Sequence, residues 1–417
     1  MISRIRQELA SFGAAEKCFI FFAMLTGFCI AAEYGITRPA SNSLFLSCFT
    51  AQLLPHVWLA TVPLNLLIVT LYNRYLPQIG PWKMLCAVSS AAIGINLATG
   101  LFVQSFPWII FFQAAWKDIY ILLMFKQLWS MIHNTIPSSR AKYLYGIIFG
   151  MGTIGTILGN LVPGFLAVWA GSKSLFFATL PLYLLLLYSY RKAHLSSPVS
   201  TQVFSDLPSN QTREGFSLIF RSRYLVAVLL IVVLMQISAG LIEFRFNSYL
   251  EQYIVDQDLR TEYMGRLSSI MNLLSGALQI VGSFLMVHTL GVRNSHLSIP
   301  IVLLLSALGS IIYPSFAVLT FTFVLLKGID YSLFSVIREM LYIPMQLDEK
   351  YRAKAIIDVF AYRSSKALVS IAIIGLQFFS NTAILSYVSS ASVAVFVLWI
   401  AVVWFLLRKH YPRPVTV

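Results

Sequence analysis

Long apolar runs separated by short polar gaps dominate the chain. Runs long enough to cross a hydrocarbon layer as helices, about 18 residues or more, are predicted at 17–37, 53–73, 83–104, 107–132, 143–169 and 174–190, then at 224–250, 263–289, 296–315, 317–345, 355–379 and 383–407. The stretch 191–223 breaks the pattern. It holds Pro198, Pro208, seven serines and no apolar periodicity, and reads as a cytoplasmic linker. The pattern therefore predicts an all-α integral membrane protein: an N-terminal six-helix bundle over 1–190, the linker, and a C-terminal six-helix bundle over 224–417, twelve transmembrane helices in all. The first run follows Arg4 and Arg6, as a signal peptide would, but it is too long for an h-region and no small-residue cleavage site precedes Glu33, so it counts as a span.

Composition sharpens this. Of 417 residues, 58% are hydrophobic and only 11% charged, with mean hydropathy +0.77, which excludes a soluble enzyme. The formal net charge is +14, and its placement decides its meaning. The N-terminus, the gaps after even-numbered spans, the linker and the C-terminus carry eighteen cations (Arg4, Arg6, Arg74, Lys83, Arg140, Lys142, Arg191, Lys192, Arg213, Arg221, Arg223, Arg293, Lys350, Arg352, Lys354, Arg408, Lys409 and Arg413), whereas the opposite gaps carry two, Lys173 and Arg260. That asymmetry orients the chain in an inner (cytoplasmic) membrane with both termini cytoplasmic. It also gives the positive charge a topological origin, so no nucleic-acid partner is expected.

Ten further cations fall in or at the ends of spans: Lys17, Arg38, Lys117, Lys126, Arg245, Arg266, Lys327, Arg338, Arg363 and Lys366. The acids there are Glu33, Asp118, Glu243, Asp330, Glu339 and Asp358. A charge facing lipid at the bilayer centre costs about 3 kcal/mol on insertion scales, so these groups are expected to face one another or a wet cavity. Arg38, Arg266 and Lys126 stand near span ends, where snorkelling to headgroups competes with that placement. With Lys17 set aside as interfacial, nine cations face six acids, and a net-positive cavity of low dielectric attracts an anion.

Helical spacing groups the charges. Lys327, Asp330 and Arg338 share one stripe at 100° per residue, and Lys327 can pair with Asp330 at i,i+3, leaving Arg338 to Glu339 or a ligand. Arg363 and Lys366 form a dicationic patch that Asp358 partly offsets. Arg and Lys are the side chains that hold phosphate. Glu243 and Arg245 point to opposite faces of their span, so Glu243 needs a partner from another helix, as a gating ion pair or a structural one. Asp118, Lys126 and Arg140-Ala141-Lys142 recur as Asp330, Arg338 and Arg352-Ala353-Lys354, displaced by 212 residues, as a parallel six-helix repeat requires.

Tyr120, Tyr331, Tyr342 and Tyr362 lie near these stripes, placed for stacking on a base or for packing. Gly150, Gly152, Gly155 and Gly159 are spaced for close helix contact. Cys18, Cys29, Cys48 and Cys86 read as buried free thiols. No Gly-rich phosphate loop, metal-ligand spacing or nucleophile–base motif stands out, so neither an enzyme nor a cofactor or metal is expected.

From Lys327 to Ser370 the chain resembles the ATP/ADP translocases of plastids and obligate intracellular bacteria. The resembling residues are Ser332-Leu333-Phe334, Glu339-Met340, Tyr342-Ile343-Pro344, Lys354-Ala355, Ile357-Asp358-Val359 and Lys366. Tyr34 and Arg38, Trp129, Ala141-Lys142 and Glu243 resemble other parts of that family. The resemblance implies a major-facilitator-like fold and nucleotide exchange, with functional weight on Arg38, Glu243, Arg338, Glu339 and Lys366. Two departures stand out: Pro39-Ala40-Ser41-Asn42 contains no lysine where the family has one, and Lys117, next to Asp118, stands where the family has an acid.

The expectation is a monomeric carrier in a lipid bilayer that exchanges an anionic nucleotide by alternating access. Substrate binding falls to Arg38, Lys117, Lys327, Arg338, Arg363 and Lys366, and gating or salt bridges to Asp118, Glu243, Asp330, Glu339 and Asp358. The alternative is a proton-coupled major-facilitator carrier of another organic anion or amphiphile, with Glu243 or Asp118 as its proton site.

Overall fold

The computed structural model describes residues 13–136, 138–197, 219–220, 222–342, 357, 361–379 and 383–409, without the side chains of 138–143, 283, 292–293, 362–363 and 407–409. The described chain is nearly all helix, as predicted. We number the main helices α1 (Ala14–Cys48), α2 (Leu54–Phe102), α3 (Trp108–Thr135), α4 (Ser138–Ala170), α5 (Leu180–Ser196), α6 (Arg223–Tyr253), α7 (Gln257–Ala277), α8 (Ser283–Ile312), α9 (Phe316–Ile329), α10 (Ser335–Leu341), α11 (Tyr362–Phe379) and α12 (Ile384–Lys409). Single π-helical turns join α7 to α8 at Leu278–Gly282 and α9 to α10 at Asp330–Phe334.

By length and apolar composition, nine helices among the described residues suit a membrane crossing, or ten if the bent pair Gln257–Gly282 and Phe284–Gly291 is one span. One of the nine, 51–102, covers two predicted spans with a break at Gly80 (φ 77, ψ 161). Only glycine adopts that conformation readily, and Pro81 after it already disfavours a helical residue at this position. Gly291 (φ 72, ψ 162) breaks α8 in the same way.

The chain divides into two compact units. Unit 1 contains 1–49, 63–205 and 254–272; unit 2 contains 50–62, 206–253 and 273–417. In unit 1, α1 packs against α3, α4 and α5 around a core that includes Phe19, Ile30, Ile119, Leu123 and Tyr183. The α1–α4 crossing depends on glycine. A Cβ at Gly159 would lie 2.7 Å from the Cα of Ala32, and one at Gly155 3.0 Å from the Cα of Phe28. Gly35 supplies the matching gap on α1, where a Cβ would meet the Thr156 carbonyl at 2.8 Å. Gly150, by contrast, has open space around it. The 254–272 segment docks on the same unit: the Ser172 amide donates to Asp258 Oδ1 at 2.7 Å, and Ser43 Oγ to the Gln257 carbonyl at 2.6 Å.

In unit 2, α6 is the central helix, packed against α9, α11 and α12. Phe246 of α6 stacks on Phe323 of α9 with centroids 4.1 Å apart. Residues 50–62 join this unit through the Ala51 amide, which donates to Glu251 Oε2 at 2.7 Å, and through Gln377 Nε2, which donates to the Gln52 carbonyl at 2.8 Å. Large apolar side chains such as Trp169 (86% exposed) and Phe378 (87%) stand outward, an arrangement that suits lipid and not water. All four cysteines are free; Cys29 is buried, but Cys18, Cys48 and Cys86 are half-buried, a correction to the expectation that all four are buried.

The crossing predicts opposite outcomes for two glycines of one helix. Gly159→Ala should lower the melting temperature of the detergent-solubilised protein, by an overpacking loss of about 1–3 kcal/mol. Gly150→Ala should leave it unchanged or raise it, since alanine favours helix and meets nothing there.

Candidate functional site

The charged side chains of unit 2 assemble on α6, α9 and the π-helical turn that comes after α9. Lys327, 7% exposed, sends Nζ across to Glu243 Oε2 of α6 at 2.8 Å. Phe323 lies one turn before Lys327, with its ring centroid 5.9 Å from the ammonium. Asp330, 8% exposed, accepts from Gln236 Nε2 at 3.3 Å, and Lys327, Arg338 and Glu243 all act electrostatically on its carboxyl. Gln236 and Glu243 are seven residues apart and so share one face of α6. The Asp330–Phe334 turn inserts an extra residue into the helix and re-aims the side chains of α10, a feature often found where a helix carries function. Glu243 thus takes its partner from another helix, as its position requires, whereas the expected Lys327–Asp330 pair gives way to Lys327–Glu243. The sequence pattern places Lys327 and Asp330 on one stripe; only packing decides which acid the ammonium reaches.

The other predicted residues of this unit have their own surroundings. The Lys366 ammonium stands 5.5 Å from the centroid of the Trp58 ring, a cation–π contact with a buried indole. Glu339 is exposed. Asp358, Arg352-Ala353-Lys354 and the side chains of Arg363, Arg140 and Lys142 lie outside the described residues.

Unit 1 presents a second group of charges. Tyr34 donates to Asp118 Oδ1 at 2.9 Å, and the Arg38 guanidinium stands 5.9 Å from the Tyr34 ring centroid. All three are half-buried. Lys117, at 9% exposure, donates to the Ala114 carbonyl at 2.9 Å. Two cations near span ends reach carbonyls and amides of their own unit: Lys126 donates to Asn73 Oδ1 at 2.7 Å, and Arg266 donates to the Gly164 carbonyl at 2.7 Å and pairs with Glu262.

Two buried groups of opposite sign were not in the predicted site. Glu33 is 1% exposed and accepts from Thr37 Oγ1 (2.7 Å), Asn96 Nδ2 (3.2 Å) and the Tyr120 hydroxyl (2.9 Å). Arg245 is 2% exposed and donates to Ser310 Oγ at 3.1 Å and to the Ser310 carbonyl at 3.4 Å. Their numbers differ by 245 − 33 = 212, the displacement of the charge repeat. The i, i+4, i+8 spacing of Glu33, Thr37 and Ser41 is the signal that marks the first of them. Of the tyrosines placed for stacking on a base, Tyr120 and Tyr342 are fully buried and Tyr331 is exposed.

With this geometry in hand, known proteins give the chain its family. It matches the TLC ATP/ADP transporter family over residues 191–411. The chain belongs to that family. Relatives of this chain include an ADP,ATP carrier protein 3 of Rickettsia bellii (strain RML369-C), 22% identical over 309 residues that cover 62% of this chain and 60% of the relative. An ADP,ATP carrier protein 2 of Chlamydia pneumoniae is 22% identical over 355 residues, covering 72% and 64%. The chain thus spans about three-fifths of the length of these relatives. Among solved structures it is similar to the nucleoside transporter NupG (TM-score 0.66, 12% identity, covering 96% of this chain and 100% of that one). A bacterial homologue of the iron transporter ferroportin in an inward-facing state gives 0.68 at 13%, covering 95% and 99%. At these identities the likeness shows the fold alone, which is major-facilitator-like.

Breaking a buried pair removes the nearest compensation of the charge that remains, a loss of up to about 3 kcal/mol. Glu243→Gln and Lys327→Met should each destabilise the protein, and the double variant should lose less than the sum. Thermal unfolding in detergent measures the coupling; strictly additive losses would show that the two side chains are independent.

Proposed function

We propose that the chain is a multi-pass carrier of the inner (cytoplasmic) membrane, with twelve spans and both termini cytoplasmic. It exchanges an anionic nucleotide of the ATP/ADP type by alternating access. The observation that carries this reading is the family match over 191–411, the part of the chain that holds Glu243, Lys327, Asp330, Arg338 and Lys366. The charge chemistry supports it. Arg38, Lys117, Lys327, Arg338, Arg363 and Lys366 supply the phosphate field, and Asp118, Glu243, Asp330, Glu339 and Asp358 are the acids that hold those cations between substrates.

The Lys327–Glu243 pair illustrates why such acids are useful. An ammonium already removed from water and paired with a carboxylate can exchange that partner for a phosphate without a second desolvation penalty. The phosphate and the acid then compete for one cation, and substrate arrival breaks a bond that otherwise holds α6 to α9. The energy for exchange comes from the counter-substrate or from an ion gradient, and the carrier works as a monomer.

Labelled ATP uptake into proteoliposomes tests this reading, with and without unlabelled ADP inside. Exchange predicts uptake that depends on the internal nucleotide; verified, correctly oriented protein that moves no nucleotide would overturn the substrate assignment and leave the fold intact. Within the same assay, Lys366→Glu should reduce uptake at least about tenfold, the effect of some 1.4 kcal/mol in substrate binding, with membrane insertion unchanged. Undiminished uptake would remove Lys366 from the site.

A further inference from the structure

The α1 helix carries two parallel polar stripes one residue apart. Tyr34 and Arg38 form the half-buried one, beside Asp118. Glu33, Thr37 and Ser41 form the other, and each of these is 1% exposed or less. This inner stripe meets α2 and α3. Thr37 and Asn96 donate to Glu33 Oε1, the Tyr120 hydroxyl lies 2.9 and 3.0 Å from the two carboxyl oxygens, Gln113 Nε2 donates to Asn96 Oδ1 at 3.4 Å, and Ser41 donates to Gln113 Oε1 at 2.5 Å. From α5 the Tyr183 hydroxyl faces the same carboxyl.

No lysine, arginine or histidine is among the hydrogen-bond partners of Glu33 in the described residues. The titratable groups around it can be named element by element. On α1 these are Tyr34 and Arg38, which sit on the neighbouring stripe; on α3 they are Tyr120, Lys117 and Asp118. The α5 helix offers Tyr183. The α4 surface against α1 includes Gly155, Thr156, Gly159 and Asn160, none of them titratable, and α2 contributes the neutral Asn96. On α7, Arg260 reaches the Ser43 carbonyl and Ser47 Oγ, more than two turns along α1 from Glu33.

A carboxylate sealed from water without a counter-charge carries a desolvation penalty of several kcal/mol, only part of which its hydrogen bonds offset. The protonated acid fits the same surroundings, because the Tyr120 hydroxyl can accept a hydrogen bond as well as donate one. The cage therefore holds either form without rebuilding. It does not suit a metal ion, since its oxygens and nitrogens already contact the carboxyl directly and leave no gap between ligands.

From this geometry we infer that Glu33 is a proton-binding site that links nucleotide movement to a proton; the inference rests on the carrier reading above. The carboxylate takes a proton from water on one side of the membrane, forming an O–H bond, and returns it to water on the other, with no change in electron count. Its position supplies the link. Glu33 precedes Tyr34, whose hydroxyl holds Asp118, and Tyr120 comes two residues after Asp118. Thr37, one of the donors, precedes Arg38. Protonation thus changes the hydrogen bonding of the helix turns that present the half-buried charges of unit 1.

Two measurements test it. In proteoliposomes, an imposed pH gradient should shift the accumulation of labelled ATP by the wild type, up to about tenfold per pH unit for one proton per cycle. Accumulation by Glu33→Gln should not respond to the gradient. A wild type indifferent to pH gradients, a Glu33→Gln variant that still responds to them, or dependence on a sodium gradient instead would overturn the proposal. Infrared difference titration of the purified protein in lipid gives a readout independent of substrate. The wild type should show a buried carboxyl band that disappears on ionisation and is missing from Glu33→Gln. A titrating band that survives the substitution, or no such band in the wild type, counts against the site. If the wild type moves no nucleotide while the band behaves as expected, the nucleotide assignment fails and the proton site stands.

Discussion

A charge or dipole in a hydrocarbon layer has no water to turn to, and this governs where the helices of this protein sit. Each polar side chain at membrane depth must be answered by another part of the chain. Glu243 therefore ties α6 to α9 through Lys327, and Glu33 gathers α2 and α3 around α1. Packing alone would allow these apolar helices to rotate against one another at little penalty, since lipid and leucine are equally apolar. The polar contacts remove that freedom and set which face of each helix is interior.

The two units meet the same demand with opposite chemistry. Unit 1 surrounds a single buried carboxyl with neutral hydroxyls and amides. Unit 2 brings Lys327, Arg338 and Glu243 within electrostatic reach of Asp330. At the position displaced by 212 residues from Glu33, it buries Arg245 against Ser310. The neutral cage suits a group that changes its own charge, and the ionic cluster suits groups that change partners.

Small residues set how closely the helices of unit 1 approach. Gly155 and Gly159 bring α4 against the backbone of Phe28 and Ala32, the turn of α1 immediately before Glu33. Gly150, on the same helix, has no such neighbour, so the repeated glycine spacing marks a helix contact without saying which turn makes it.

Much of this protein could be read from its sequence. Long apolar runs, sparse charge and asymmetric cations determined a multi-pass helical membrane protein. The residues from Lys327 to Ser370 determined the family, because local motifs survive in linear order. The gap between the runs 53–73 and 83–104 marked a break, which the structure places at Gly80. Tertiary structure alone decided the pairing. Sequence spacing can place Lys327 beside Asp330 on one helix, but the partner it takes, Glu243, lies 84 residues away on another. Glu33 looked like one acid among six; its burial among neutral donors from three helices is a property of packing. Periodicity reports which face a side chain occupies, whereas the partner across that face depends on helix rotation and approach, which no single helix contains.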